Sequence, residues 1–152
     1  MYGNKSKVVC IDNWSEFNGH HAKETFFARF EHFKGSNDAT FIEGDCFKID
    51  ISGQPKFNIY LYDGRHEYED HFIALSYYLA HVDDVFIFIV DDWNWDNVRN
   101  GTMDAIKEFK LDILWSREIR LTQNNEHTPN AEAKETWWNG IGVFLLQKPQ
   151  AI

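Results

Sequence analysis

Residues 57–95 constrain this chain more than any other stretch. They hold an apolar run, Phe57–Tyr62, that ends in Asp63-Gly64-Arg65-His66, then a helical middle. A second apolar run, 85–90, follows and ends in Asp91-Asp92-Trp93. Val85, Phe86, Ile87, Phe88, Ile89 and Val90 show no polar–apolar alternation. A strand without a polar face suits a sheet covered on both sides, as parallel sheets are. In an open parallel sheet, ligands bind in the crevice outside the carboxyl ends of the strands. If both runs are neighbouring strands of one such sheet, Asp63, His66, Asp91 and Asp92 share that crevice.

The remaining chain repeats the alternation of strand and helix. Lys7–Asp12 (KVVCID) is a short β-favouring run closed by an acid. A turn is expected over 13–19, with His20-His21 opening a solvent-facing helix. Ala22, Phe26, Phe30 and Phe33 then form an apolar stripe, and Gly35 is a credible stop. Residues 39–43 (ATFIE) read as a strand closed by Gly44-Asp45, and 51–56 as a loop. Tyr68, Phe72, Leu75, Leu79 and Val82 recur at spacings of four, three, four and three, the stripe of an amphipathic helix. Residues 96–109 predict another helix, weakened by Gly101, and 113–121 a strand. The polar stretch 122–136 is long for a loop in a compact domain, so it is expected to be a lid, an insertion or partly disordered. Residues 140–147 (GIGVFLLQ) form the last strand. With no helix before it, it should pair antiparallel with its predecessor at one sheet edge.

Length and composition set the outer bounds. A chain of 152 residues is expected to form one domain, residues 1–152. It is 43% hydrophobic and 26% charged, a globular composition rather than a disordered one. A net charge of -9 argues against nucleic acid or an anionic membrane as the main partner. Cys10 and Cys46 are too few for a disulfide framework and read as buried free thiols, which fits a cytoplasmic protein. The amino end, MYGNKSK, is polar, and no run approaches the roughly 20 apolar residues of a membrane span.

Four acids, Asp12, Asp45, Asp63 and Asp91, each close an apolar run at once or within two residues. One such acid is accounted for by capping the next helix or starting a turn; four in the same register favour a site. His66, three residues after Asp63, is a candidate general base or a histidine oriented by a carboxylate. A zinc protease is excluded by spacing, because His66 and His71 are five apart where a zinc-binding helix needs four. Glu67 and His71 read as a surface pair. Asp63, Asp91 and Asp92 together suit a hard divalent cation such as Mg²⁺, with Arg65 and Arg99 as alternative partners for the carboxylates. Trp93, Trp95, Trp137 and Trp138 read mainly as core or rim aromatics, while Trp14 or Trp93 could stack on a flat ring.

These segments resemble the class I S-adenosylmethionine (SAM)-dependent methyltransferases, in particular the small-molecule O-methyltransferase-like members. YDGRHEYED resembles that family's strand-end D-G-x-H-x-Y element, and IVDDWNWDNVRNGTMDAIKEF its next strand, Asp-Asp pair and helix. VVCIDNW and FIEGD resemble its two cofactor strands. The resemblance implies an α/β fold: a Rossmann-like, mostly parallel sheet with helices on both faces and an antiparallel carboxy-terminal hairpin edge. It implies cofactor contacts from Asp12 at the ribose, Asp45 by the adenine, and Trp14, Cys46 and Asp63 beside them. It also implies catalysis by Asp63, His66 and Asp91, with Asp63, Asp91 and Asp92 around a metal. The sequence departs from the family in one place. It carries no E/D-x-G-x-x-x-G turn, and MYGNKSKVV looks like the tail of the helix that should follow that turn. An amino-terminal truncation that removes the first strand of the family fold is therefore expected. In the family that strand lies between the strands ending at Asp12 and Asp63, and a gap there invites a second chain and hence a homodimer.

The expected function is SAM-dependent O-methylation of a small-molecule acceptor. The alternatives are a catalytically silent Rossmann-like protein that binds or oligomerises, and a metal-dependent hydrolase using the same aspartates.

Overall fold

The computed structural model describes residues 5–16, 19–133 and 135–150. It divides into two compact units, Met1–Asp50 and Ile51–Ile152. Residues 1–4 of the expected helix tail, and Phe17 and Asn18 of the expected turn, lie outside the described residues.

In the first unit, strand β1 (Lys7–Asp12) pairs in parallel with β2 (Asp38–Glu43), Lys7 opposite Asp38 and Asp12 opposite Glu43. Helix α1 (Gly19–Phe33) joins them. Its Phe26 and Phe27 lie 5.1 and 5.0 Å from Phe41 of β2, ring centre to ring centre, and Trp14 closes the cluster 5.4 Å from Phe26. The β–α–β order and the Phe stripe are those expected; β2 begins one residue earlier, at Asp38, which Lys7 of β1 holds by a 3.1 Å ion pair.

The second unit is a four-stranded sheet in the order β3-β4-β6-β5. β3 (Phe57–Tyr62) runs parallel to β4 (Val82–Asp91), with Tyr62 opposite Val90. β6 (Ile141–Gln147) is antiparallel to both β4 and β5 (Asp112–Ile119), so the closing strands form the antiparallel edge the sequence predicts. Between β3 and β4 runs α2 (Tyr68–Tyr78), followed by one 3₁₀ turn, Leu79–His81. Val82, last in the apolar stripe, thus belongs to β4, where it pairs with Phe57.

Helix α2 covers one face of this sheet. The Tyr60 hydroxyl donates to the Ala74 carbonyl (3.2 Å), and Tyr60 stacks on Phe88. Phe86, Phe88, Val90, Phe144 and Leu146 are at most 1% exposed. Burying each contributes roughly 1.5–3 kcal/mol. Helix α3 (Asp96–Glu108) packs against α2 through Gly101, where a Cβ would stand 2.3 Å from the Tyr68 carbonyl oxygen. Gly101 lowers local helix propensity, and in return the two helix backbones meet closely. On the opposite face Ile59 and Leu61 of the edge strand β3 are about half exposed, at 53% and 52%. Among the described residues no helix is long and apolar enough to cross a membrane.

Candidate active site

Because β3 and β4 are parallel neighbours, their carboxyl ends open on the same side. The two acidic turns that follow them meet there: one carboxylate oxygen from each of Asp63, Asp91 and Asp92 lies within 4.8 Å of the others. Asp92 takes a left-handed backbone conformation (φ +57°), which a non-glycine residue adopts only when its surroundings hold it. Its own N–H donates to Asp91 Oδ1 (2.8 Å), and the Trp137 indole N–H donates to the same oxygen (2.6 Å). Burial raises the Asp91 pKa, against the opposing pull of those two donors. Asp92 is buried and bonded at both oxygens. Oδ1 accepts from Asn139 Nδ2 (2.8 Å), and Oδ2 lies 2.6 Å from His66 Nε2.

His66 therefore pairs with Asp92 from the neighbouring strand, in addition to standing three residues from Asp63. A carboxylate only accepts, so the neutral imidazole bonded to it carries its proton on Nε2, which puts the lone pair on Nδ1. The His66 ring lies against Trp95 (4.3 Å between centres), Trp95 against His127 (5.1 Å), and His127 stacks on Trp138 (5.7 Å). Trp137 and Trp138 are each about half exposed, and so present aromatic surface beside the carboxylates.

Behind this rim sits a ring of buried polar side chains. Asn94, fully buried, accepts from the Leu121 and Thr122 N–H groups (2.8 and 3.2 Å) and donates to Thr128 Oγ1 (3.2 Å) and the Glu126 carbonyl (3.4 Å). Asn139 accepts from the Thr128 N–H (3.0 Å) and donates its own N–H to Thr128 Oγ1 (2.8 Å). Gly140 follows at φ +83°, and a Cβ there would stand 2.4 Å from the Ile119 carbonyl oxygen. The polar stretch expected to be a lid or partly disordered is instead stapled to the end of β4, and it contains a short helix, α4 (Asn130–Ala133). The same bonds end β5 at Ile119, since the Leu121 N–H is taken by Asn94 rather than by a strand.

His71 corrects another expectation. It is not half of a surface pair with Glu67 but 1% exposed, its ring edge-on to Tyr62 (5.0 Å). Its two ring nitrogens are buried without a well-formed hydrogen bond among the described residues, the Arg65 backbone making at most a weak one. Burial and the nearby His66 lower its pKa to about 4, against weaker opposing effects of Asp92 and the Arg65 backbone. Arg99 is committed to Asp96 and to the Trp93 carbonyl (2.6 Å), not to the site carboxylates. Trp93 is fully buried and donates to Glu118 (2.9 Å), so it offers no face to a ligand.

The expected cofactor residues Asp12, Trp14, Asp45 and Cys46 lie in the first unit. Asp12 closes β1, and its Oδ1 accepts the Trp14 N–H (2.7 Å). Asp45 accepts the Phe47 N–H (3.0 Å) and pairs with Lys48 (2.8 Å). Cys46 is a half-buried free thiol, as is Cys10, whose pKa burial raises. Trp14 packs among Phe26, Phe27 and Phe41, and among the described residues its buried indole N–H has no partner. Sequence reasoning missed Asn94, Thr128 and Asn139. The Asn139-Gly140 dipeptide signals a left-handed turn, yet nothing local says that its amide reaches Asp92, 47 residues away.

No family model and no curated protein matches the sequence. Solved structures do match. A Klebsiella pneumoniae protein assigned as an O-methyltransferase aligns with TM-score 0.55 and 10% identity, over 93% of this chain and 74% of that one. A Streptococcus mutans protein assigned as a SAM-dependent methyltransferase gives 0.54 and 13%, over 95% of this chain and 45% of that one. A further protein, assigned as a methyltransferase and crystallised with S-adenosylhomocysteine (SAH), gives the same score and identity, over 95% and 46%. The chain thus has the class I SAM-dependent methyltransferase fold, and spans about half the length of the latter two.

Proposed function

We propose that this chain is the site-bearing part of a SAM-dependent methyltransferase that methylates an oxygen of a small molecule. The observation that carries the reading is the His66 Nε2–Asp92 Oδ2 pair set beside Asp63 and Asp91 at the carboxyl ends of adjacent parallel strands. On this reading, His66 Nδ1 takes the proton of the acceptor hydroxyl, and Asp92 stabilises the imidazolium that results. Bound SAM would supply the methyl group, its carbon–sulfur bond breaking as the new carbon–oxygen bond forms. The transfer is in line and depends mainly on positioning. Asp12, Trp14, Asp45 and Cys46 are the proposed cofactor contacts within the first unit. Exposed Asp12 suits ribose hydroxyls.

The alternative to a His66 base is a hard divalent cation such as Mg²⁺ at Asp63, Asp91 and Asp92, which would have to share Asp92 oxygens already facing Asn139 and His66. Bound there, the cation would act as a Lewis acid that lowers the pKa of a hydroxyl. Hydrolysis by the same aspartates has no separate observation in its favour. Nor has a catalytically silent binding protein, which titration with SAH distinguishes from the methyltransferase.

Isothermal titration of SAH into the purified chain, with and without Mg²⁺, tests the reading. Micromolar binding that is lost in Asp12→Ala supports a methyltransferase site. Failure to bind, in this chain and in a version extended at the amino end, would leave the silent protein.

A further inference from the structure

Asp92 is buried, stands in a left-handed conformation and has two carboxylate oxygens, only one of which faces His66. The other, Oδ1, receives the Asn139 side-chain amide at 2.8 Å. Every polar group of Asn139 is committed. Nδ2 donates to Asp92 and Oδ1 accepts the Thr128 N–H (3.0 Å). Its backbone N–H donates to Thr128 Oγ1 (2.8 Å), and its carbonyl accepts the Asn94 N–H (2.7 Å). These partners fix which way the amide points: a flip would set oxygen against the carboxylate and NH₂ against an N–H. The position needs one donor, one acceptor and a φ of +61° in a 2% exposed site, and asparagine is the side chain that meets all of these demands together.

We infer that Asn139 is a positioning residue. By holding Asp92 Oδ1, it turns Oδ2 onto His66 and so fixes the tautomer and orientation of the ring. The 122–140 segment then does more than border the site, since it sets the geometry of the proposed base. The inference rests on the reading of His66 as that base, but its consequence is visible without cofactor or acceptor.

The test is ¹⁵N-histidine NMR on the whole chain at pH 8, with His66→Gln used to assign the His66 signals. In the wild type, the Hε2 proton held on Asp92 should give a resolved downfield resonance coupled to Nε2. In Asn139→Ala that resonance should be lost to solvent exchange. In Thr122→Val, which removes the bond from Thr122 Oγ1 to the Glu126 carbonyl (2.7 Å) and touches neither Asp92 nor His66, it should persist. Should Asn139→Ala not fold, Asn139→Gly gives the same reading, because it tolerates the left-handed backbone and has no side-chain donor. Persistence of the resonance in the Asn139 variant overturns the inference. So does its loss in Thr122→Val, which would make Asn139 a loop staple only. Methyl-transfer activity enters neither outcome, so failure here is distinct from failure of the functional reading.

Discussion

His71 should make this protein lose stability in mild acid, and the size of the loss follows from its burial. The ring is 1% exposed, and its pKa is lowered from 6.5 to about 4, chiefly because burial disfavours the charged form. Between those two values the unfolded chain binds a proton at this residue and the folded chain does not. Lowering the pH through that window therefore favours unfolding. Linkage with those two values gives a loss of about 2 kcal/mol between pH 8 and pH 5, approaching about 3 kcal/mol near pH 4. Other groups titrate over the same range. Asp91, with its raised pKa, works in the opposite sense by gaining stability as the pH falls. The comparison to make is thus wild type against His71→Leu, which keeps a similar volume and removes the titration. Urea unfolding at pH 8 and pH 5 should show the wild type losing about 2 kcal/mol more than the variant. At pH 8 the variant should match or exceed the wild type, because a buried ring whose nitrogens meet at most the Arg65 backbone carries a desolvation cost. An equal loss in both proteins would refute the reasoning, since it would mean that His71 is charged or solvated in the folded state.

Gly101→Ala should destabilise by about 1–3 kcal/mol in urea unfolding, because the new methyl group meets the Tyr68 carbonyl of the facing helix and cannot turn away. A gain in stability, as helix propensity alone would give, would show that α2 and α3 are not so close. Asn94→Ala should cost about 2–4 kcal/mol and open 120–140 to limited proteolysis, since it strands the Leu121 and Thr122 N–H groups and the Thr128 hydroxyl. Unchanged protection of that segment would contradict the stapled loop. We also propose that the uncharged edge strand β3, with Ile59 and Leu61 half exposed, pairs with a second copy of the chain. Sedimentation should then show a dimer for the wild type and a monomer for Ile59→Lys, Leu61→Lys. A monomeric wild type would rule the pairing out.

The strand ends were legible because local chemistry writes them. Lys7–Asp12 and Phe57–Tyr62 are β-branched or aromatic runs cut off by an aspartate, and their limits match the structure residue for residue. The stripe of Tyr68, Phe72 and Leu75 announces α2, and the lack of an apolar helical stripe before 140–147 announces the antiparallel edge. Once two such strands lie side by side in parallel, Asp63, Asp91 and Asp92 have nowhere else to go, so the carboxylate cluster follows from the order of residues alone. The partner of each carboxylate does not. His66 reaches Asp92, Trp137 reaches Asp91 across 46 residues, and Asn139 reaches Asp92 across 47. The 122–136 stretch reads as loose because its side chains are polar and mostly exposed, yet Thr122, Glu126 and Thr128 are tied to Asn94 and Asn139, which are themselves buried. Periodicity reports which face of an element is apolar, a property of neighbours along the chain. A buried amide gains its stabilisation only when distant backbone groups arrive around it, and that meeting is decided by the tertiary fold.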